Sequence, residues 1–347
     1  MLPPPPPKLS LANLPTPIRP LDRVSTRVGG PRIWLKQDDY TGSLSSGNKI
    51  RKLEYLLAEA QAQGCDTVIT CGGIQSNHCR ATAALCAQLG LHCYLILRGP
   101  KSLGKSEICY SPEQVCEAGS EGNLLLDQLC GAEISIYSPF YYAKHLDALF
   151  DNAKGQCDTK GRKSYSIPVG GSNETGLWGY ITAAKELQND FKLHNITPGA
   201  VVCASGSGGT QGGLTLGFHL LSSSASVHGV AVCDSGEYFK NKILEDVSAW
   251  EAKYLQQTST LTEQLNINTF EGYIGPGYAQ AYPELLECIA MLAQEEGVVL
   301  DPVYTGKAFY GLIKEIEKGT FSAANDIVFI HTGGIYGLFP FKNEFVF

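Results

Sequence analysis

Two stretches of this 347-residue chain carry side chains whose types and spacing could do chemistry. The first is SGNKIRKLEYL, Ser46 to Leu56. Ile50, Leu53, Leu56, Leu57 and Ala60 fall at helical spacing, which predicts an amphipathic helix starting here. Its first turns hold Lys49, Arg51 and Lys52, although a helix N-terminus is already positive and disfavours cations. Either these are solvated surface charges, or an anion sits near the helix start. In the second reading Lys52 faces a phosphate, and Lys49 is a nucleophilic amine with a lowered pKa, able to form a Schiff base.

The second stretch is SGSGGTQGG, Ser205 to Gly213, between the apolar run GAVVCA and the helical pattern LTLGFHLL. Five glycines in nine residues let backbone N–H groups converge, and the helix N-terminus adds positive potential. The result is an anion cradle built from Gly206, Gly208 and Gly209, to which Ser205, Ser207 and Thr210 add hydroxyl donors. A glycine-rich turn with no ligand is the plain alternative. The dinucleotide fingerprint fails, because after Gly206 and Gly208 its third glycine falls where Gln211 stands. GPKSLGKS, Gly99 to Ser106, matches the P-loop expression, but no apolar periodicity follows it and Pro112 comes six residues after Ser106, so it reads as a surface loop. One phosphate cradle, one lysine after Gly-Asn and no nucleotide motif point to pyridoxal phosphate (PLP) as the ligand.

Four other stretches end apolar runs or precede helical ones. GGIQSNH places Ser76 and Asn77 where they can cap a helix, and the same geometry would present them to a substrate carboxylate. IGPGYAQ puts Tyr278 in a turn-rich loop. LDPVYTGKAFYG puts Tyr304 and Thr305 just before a helix, where Tyr304 could equally be core packing with a bonded hydroxyl. HTGG leaves His331 at a strand end, where a lone histidine reads as structural.

The elements that must position these residues alternate. DTVITCGG, LHCYLIL, EISIYS, SYSIPVGG, GAVVCAS, VHGVAVCD and NDIVFIHTGG read as strands, with helical patterns between them. Such βαβ alternation implies mainly parallel sheets covered by helices, with ligands bound beyond the C-terminal strand ends. The tract from Gly99 to Gly122 reads as a loop and an insertion, and Ser235 to Asn268 as helix-rich without a clear strand. With 44% hydrophobic residues and a net charge of −7, the chain has ample core and no basic run, which argues against nucleic acid. No apolar stretch approaches the ~20 residues of a membrane span. The N-terminal MLPPPPPKLSLANLPTP reads as an extended arm, without the apolar core of a signal peptide. Twelve scattered cysteines without a CxxC pair read as free thiols in a reducing compartment, and metal ligation is not expected. Cytoplasmic localisation follows, with organelle import left open.

Several of these stretches together resemble the D-cysteine desulfhydrase / 1-aminocyclopropane-1-carboxylate (ACC) deaminase family. They are SGNKIRKLEYLLAEA, CGGIQSNHCRATAALCAQLGL, EGNLLLDQLCGAE, IPVGGSN and LDPVYTGKA, in order from about Leu14 to Phe341. The resemblance implies an α/β protein of the tryptophan-synthase-β fold type (PLP fold type II), with two open, twisted, mainly parallel sheets flanked by helices. It implies a large PLP-binding domain from residues 1–52 and 167–347, a small domain from 53–166, and a homodimer. Carried over by motif, Lys49 is the Schiff-base lysine, while Lys52 and the loop Ser205 to Thr210 hold the phosphate. Asn77 bonds the cofactor's ring oxygen, and Ser76, Asn77 and His78 contact the substrate. Ser76 takes part in proton transfer, Tyr278 and Tyr304 flank the substrate, and Thr305 and Thr332 lie near the pyridine nitrogen. ACC deaminases resemble DPVYEGK, with a carboxylate that keeps that nitrogen protonated. Thr305 can only share a hydrogen bond with it, which suits β-elimination. The implied function is a PLP-dependent D-cysteine desulfhydrase releasing sulfide, pyruvate and ammonia. ACC, another D-amino acid or L-cysteate on the same scaffold, a P-loop nucleotide-binding protein, and a PLP carrier without turnover are the alternatives.

Overall fold

A computed structural model describes residues 2–116, 119–255 and 261–346. Its first part runs β1 (Ile18–Pro20), α1 (Asp22–Val28), β2 (Arg32–Gln37), α2 (Asn48–Ala62), β3 (Thr67–Gly73), α3 (Asn77–Leu89) and β4 (His92–Arg98). It continues through α4 (Pro112–Val115), α5 (Gly122–Leu129), β5 (Glu133–Tyr137), α6 (Pro139–Thr159), β6 (Ser164–Ser166), α7 (Trp178–His194), β7 (Ala200–Ser205) and α8 (Gly209–Leu220). The last part holds β8 (Ser226–Ala231), α9 (Gly236–Tyr254), α10 (Leu261–Gln264), β9 (Asn268–Phe270), α11 (Pro283–Glu296), α12 (Thr305–Glu317) and β10 (Asp326–His331).

The strands form a six-stranded sheet, β1-β2-β10-β7-β8-β9, and a four-stranded sheet, β5-β4-β3-β6. Only β1 runs antiparallel to its neighbour; the other pairs are parallel. The alternating pattern thus yields the expected sheet class. Three strands escaped the sequence reading. β1 and β9 span three residues each, too few for periodicity to register. RIWLKQ of β2 ends in Lys36 and Gln37, polar residues that proved buried.

Local chemistry sets the elements that carry the site. All seven residues of β3 are buried, as its continuous apolar run requires for a strand covered on both faces. Ser76 caps α3 by accepting from Cys79 N at 3.3 Å, and Gly90 ends that helix in the left-handed conformation. α2 buries the stripe Ile50, Leu53, Leu56 and Leu57. Gly179 lets α7 meet α2 backbone to backbone: a Cβ there would stand 2.7 Å from the Arg51 carbonyl and the Lys52 amide. This close approach sinks the cationic turn of α2 into the protein. The N-terminal arm lies against the same helix, with Lys8 paired to Glu54 at 2.5 Å and the amides of Leu11 and Ala12 donating to the same carboxylate.

The P-loop look-alike is no nucleotide cradle. Lys101–Leu103 form a single 3-10 turn, Lys105 is exposed, and the next helix, α4, begins only at Pro112. Residues 117–118 of the Gly99 to Gly122 tract lie outside the described residues, as do 256–260 of the tract before β9. All twelve cysteines are free, and eight of them are buried. Among the described residues, no helix is long and apolar enough to cross a membrane, and no His/Cys/Asp/Glu cluster could hold a metal ion.

Candidate active site

The three cations opening α2 have three different fates. Arg51 is buried and forks onto Asp38, with Nη2 at 2.8 Å from Oδ1 and Nε at 3.0 Å from Oδ2. Its Nη1 reaches Glu186 at 2.9 Å. Burial opposes the charge of Arg51, but Asp38 and Glu186 more than offset that and raise its pKa. Lys52 is 1% exposed and has only neutral hydrogen-bond partners, the Gly170 carbonyl and Ser172 Oγ, both at 3.2 Å. Burial, and then the charge of Lys49, hold its pKa well below the usual lysine range. Lys49 points into a cavity of about 280 Å³ with Asn48 Oδ1 at 3.1 Å. Burial lowers its pKa to about 8 against the pull of Asp301, while Arg80 adds to the lowering. The reading of Lys49 and Lys52 as solvated surface charges does not hold.

The cavity sits where strand ends from both sheets meet. Besides Lys49 it is lined by Ser76, Asn77 and His78 from the β3–α3 turn, and by Gly206 and Ser207 from the β7–α8 loop. Tyr278, Tyr304 and Thr332 complete the expected residues on its wall. The two phenols bond to each other at 2.5 Å. Burial raises Tyr278 to about 12, although the Tyr304 hydrogen bond opposes it, and burial with Tyr278 raises Tyr304 further. Both therefore stay protonated at neutral pH, one of them donating to the other. His78 bonds through Nε2 to Thr70 Oγ1 at 2.8 Å. Thr70 spends its own proton on the Ile167 carbonyl, so His78 must carry its proton on Nε2 and leave Nδ1 as an acceptor. Burial and the two lysines keep the imidazole neutral.

The remaining expected residues lie behind the wall. Ser205 is buried with an unpartnered Oγ, and Thr210 accepts from Asn48 Nδ2 at 2.9 Å. Gly208 caps α8, and the Gly209 amide donates to Ser172 Oγ at 3.2 Å. Thr305 departs from expectation. It is wholly buried and off the cavity wall, and its Oγ1 accepts from Asp301 N at 3.0 Å. A hydroxyl this close to its own helix start serves the turn first.

The sequence reading missed four residues that the structure brings to the site. Ser172 bridges Lys52, Ser207 and Gly209 at the glycine loop. Asp301, also wholly buried, has its carboxyl pushed up to about 7 by burial, though the amides of Tyr304 and Thr305 donate to it. Asn123 donates to Asn77 Oδ1 at 3.0 Å, which turns the Asn77 amide so that Nδ2 is its free donor. Arg98 lines the cavity. Asp301 and Asn123 stand in stretches quoted for other residues, where an Asp before a helix and an Asn after Gly read as ordinary caps and turns.

The loop end of the cavity fits a phosphate. It offers a buried lysine whose hydrogen-bond partners are neutral, an orphaned hydroxyl at Ser205, the N-terminus of α8, and a surface with no room for a side chain. A Cβ on Gly209 would stand 2.7 Å from Lys52 Nζ and also strike Ser172. Lys52→Gln is therefore expected to weaken PLP binding. Loss of a charge-assisted hydrogen bond costs about 1.5–3 kcal/mol, or about tenfold to a hundredfold in Kd, read by equilibrium dialysis. An unchanged Kd would move the phosphate elsewhere.

Comparisons with known proteins place the chain in a family. A D-cysteine desulfhydrase of Serratia proteamaculans is 37% identical over 97% of this chain and 97% of its own. The bifunctional D-cysteine desulfhydrase/1-aminocyclopropane-1-carboxylate deaminase, mitochondrial, of Arabidopsis thaliana is 42% identical over 95% of this chain and 79% of its own. The crystal structure of an ACC deaminase homologue superposes with a TM-score of 0.81 at 34% identity, covering 97% of this chain and 95% of that one. The sequence profile of the family described as "Pyridoxal-phosphate dependent enzyme" matches residues 9–333. With an amine of lowered pKa in the cavity, a phosphate cradle behind it and these matches along nearly its whole length, the chain belongs to the pyridoxal-phosphate dependent enzyme family.

Proposed function

We propose that the protein is a D-cysteine desulfhydrase, which eliminates hydrogen sulfide from D-cysteine and leaves pyruvate and ammonia. The carrying observation is Lys49 Nζ, an amine with a pKa of about 8 in one cavity with Ser76, Asn77, Tyr278 and Tyr304. The desulfhydrase names of relatives at 37% and 42% identity support the choice of substrate.

Bound PLP supplies the electron sink for the pair left at Cα when its proton is removed. Lys49 holds the cofactor and accepts the Cα proton, a task for which a pKa near the working pH is well matched. Lys52, Ser205, Ser207 and Thr210, with the amides of Gly206, Gly208 and Gly209, hold the phosphate. Asn77 Nδ2, oriented by Asn123, donates to the ring oxygen. Ser76 and the first amides of α3 receive the substrate carboxylate, where the helix N-terminus favours negative charge, and His78 Nδ1 accepts from the substrate side. Tyr278 and Tyr304 face the substrate from the opposite wall, and since one phenol donates to the other, the pair has one proton left to donate. Thr332 on the wall would face the pyridine nitrogen, with Thr305 set behind the wall in the Asp301 turn. No cavity-lining carboxylate reaches the ring from the position after Tyr304, which favours elimination over the opening of a cyclopropane.

Division into a large domain (1–52 and 167–347) and a small one (53–166) is part of the same reading. It is supported by the four-stranded sheet, whose strands all fall between Thr67 and Ser166. A homodimer and a cytoplasmic location complete it, and the mitochondrial relative makes organelle import the alternative. The functional reading is tested by sulfide release from D-cysteine and L-cysteine with PLP present. Sulfide from the D-enantiomer alone is expected. Sulfide from neither would shift the assignment to ACC or to a leaving group other than thiol.

A further inference from the structure

Arg98 is a charged cavity residue without a task in that reading. It ends β4, in register with Gly73 of β3, and its side chain shares the cavity wall with Lys49. Its guanidinium carbon stands 4.4 Å from the centroid of the Tyr278 ring. Tyr278 in turn bonds Tyr304 at 2.5 Å. Among the described residues, no carboxylate comes within ion-pair distance of Arg98. Asp234 shares the cavity wall but lies beyond that range, so the guanidinium is not neutralised in place. Stacking on an aromatic face fixes the plane of a guanidinium and leaves its N–H edge to meet an anion.

The substrate concentrates negative charge at two places, its α-carboxylate and the atom that departs from Cβ. The amides and hydroxyl at the start of α3 suit the carboxylate, which leaves the second charge for Arg98. Resting on the proposed desulfhydrase activity, we propose that Arg98 receives the sulfur leaving Cβ, binds it as hydrosulfide, and thereby selects substrates whose β-substituent is a poor leaving group until its negative charge is held. The step balances without an oxidant or reductant. Lys49 takes the Cα proton, the C–H electron pair forms the Cα–Cβ double bond, and the Cβ–S pair stays on sulfur, which departs as HS⁻. Tyr278, beneath the guanidinium, fixes its orientation.

The test compares two leaving groups. Removing one fixed donor to a developing negative charge costs about a hundredfold, so Arg98→Gln is expected to lower kcat/KM for D-cysteine by that factor. β-Chloro-D-alanine, whose chloride leaves without help, should change by less than about threefold, because its C–Cl cleavage asks little of such a donor. Arg98→Lys keeps the charge and is expected to recover most of the D-cysteine activity. The inhibition constant of sodium hydrosulfide against β-chloro-D-alanine should rise about tenfold in Arg98→Gln, the loss of one charge-assisted contact. Equal losses on both substrates, or an unchanged D-cysteine rate, would assign Arg98 to folding or to nothing. An unaltered enzyme that releases no sulfide from D-cysteine sinks the functional reading and this proposal with it, whereas a variant that loses both substrates equally sinks only the role of Arg98.

Discussion

Lys49→Ala is expected to abolish turnover and to remove the visible absorption band of lysine-bound PLP, while the phosphate cradle still holds the cofactor more loosely. The reason is positional. Among the described residues, Lys49 supplies the only lysine amine on the cavity wall, and Lys52 lies behind it with its donors on Gly170 and Ser172. A pH dependence follows from the same geometry. The neutral amine is the nucleophile, and burial lowers the Lys49 pKa from 10.5 to about 8. The rate at which cofactor-free protein takes up PLP should therefore rise tenfold per pH unit below that value and level off above it. Stopped-flow absorbance across this range checks it. A rate that keeps rising toward pH 10.5 would mean an ordinary exposed lysine, and turnover by Lys49→Ala would remove Lys49 from the reaction altogether.

Arg51→Met should cause the largest loss of stability of any single change beside the site. Arg51 joins a buried network in which Asp38 also accepts from Thr16 Oγ1 and from the Tyr180 hydroxyl, and Lys36 bridges Glu186 and Asp190 at 2.6 Å each. Removing one partner of a buried pair leaves a charge without compensation, which costs about 3–5 kcal/mol. Chemical denaturation measures the loss directly. Adding Asp38→Asn to Arg51→Met should restore part of it, because the orphaned charge goes too. A single variant as stable as the parent would mean that Tyr180 and Thr16 alone satisfy Asp38. Acid should attack the same network. Burial works against the charge of Glu186, but hydrogen bonds and charges of Arg51 and Lys36 outweigh it and lower the pKa to about 2. Its stabilising contribution is complete above the unfolded value of 4.5 and is lost as pH falls through about 2. Because Arg51 and Lys49 share a helical turn, this network also anchors the catalytic amine.

Much of this protein is legible in its sequence, and the reasons are local. Apolar runs ending in glycine mark β3, β7 and β10, because a strand buried on both faces needs a continuous apolar run and its ligand-binding end needs room. The glycine loop before α8 announces an anion site, because backbone amides can converge only where side chains are absent. Lys49 and Lys52 stand out because two cations at a helix start contradict the helix dipole. What the tertiary structure alone decided is which cation meets which partner. Arg51 finds Asp38 thirteen positions back and Glu186 in α7, while among the described residues no carboxylate comes within ion-pair distance of Lys52. Spacing along the chain carries no record of such meetings, since they depend on Gly179 letting two helices touch. The same holds for Ser172, Asn123, Asp301 and Arg98, ordinary residues until the fold turns them toward the cavity or its walls. The sequence determined the chemistry available to this protein, through residue types that backbone geometry must accommodate locally. The fold decided which of those groups are stripped of water and set side by side, because burial and distance are properties of packing between segments remote in the chain.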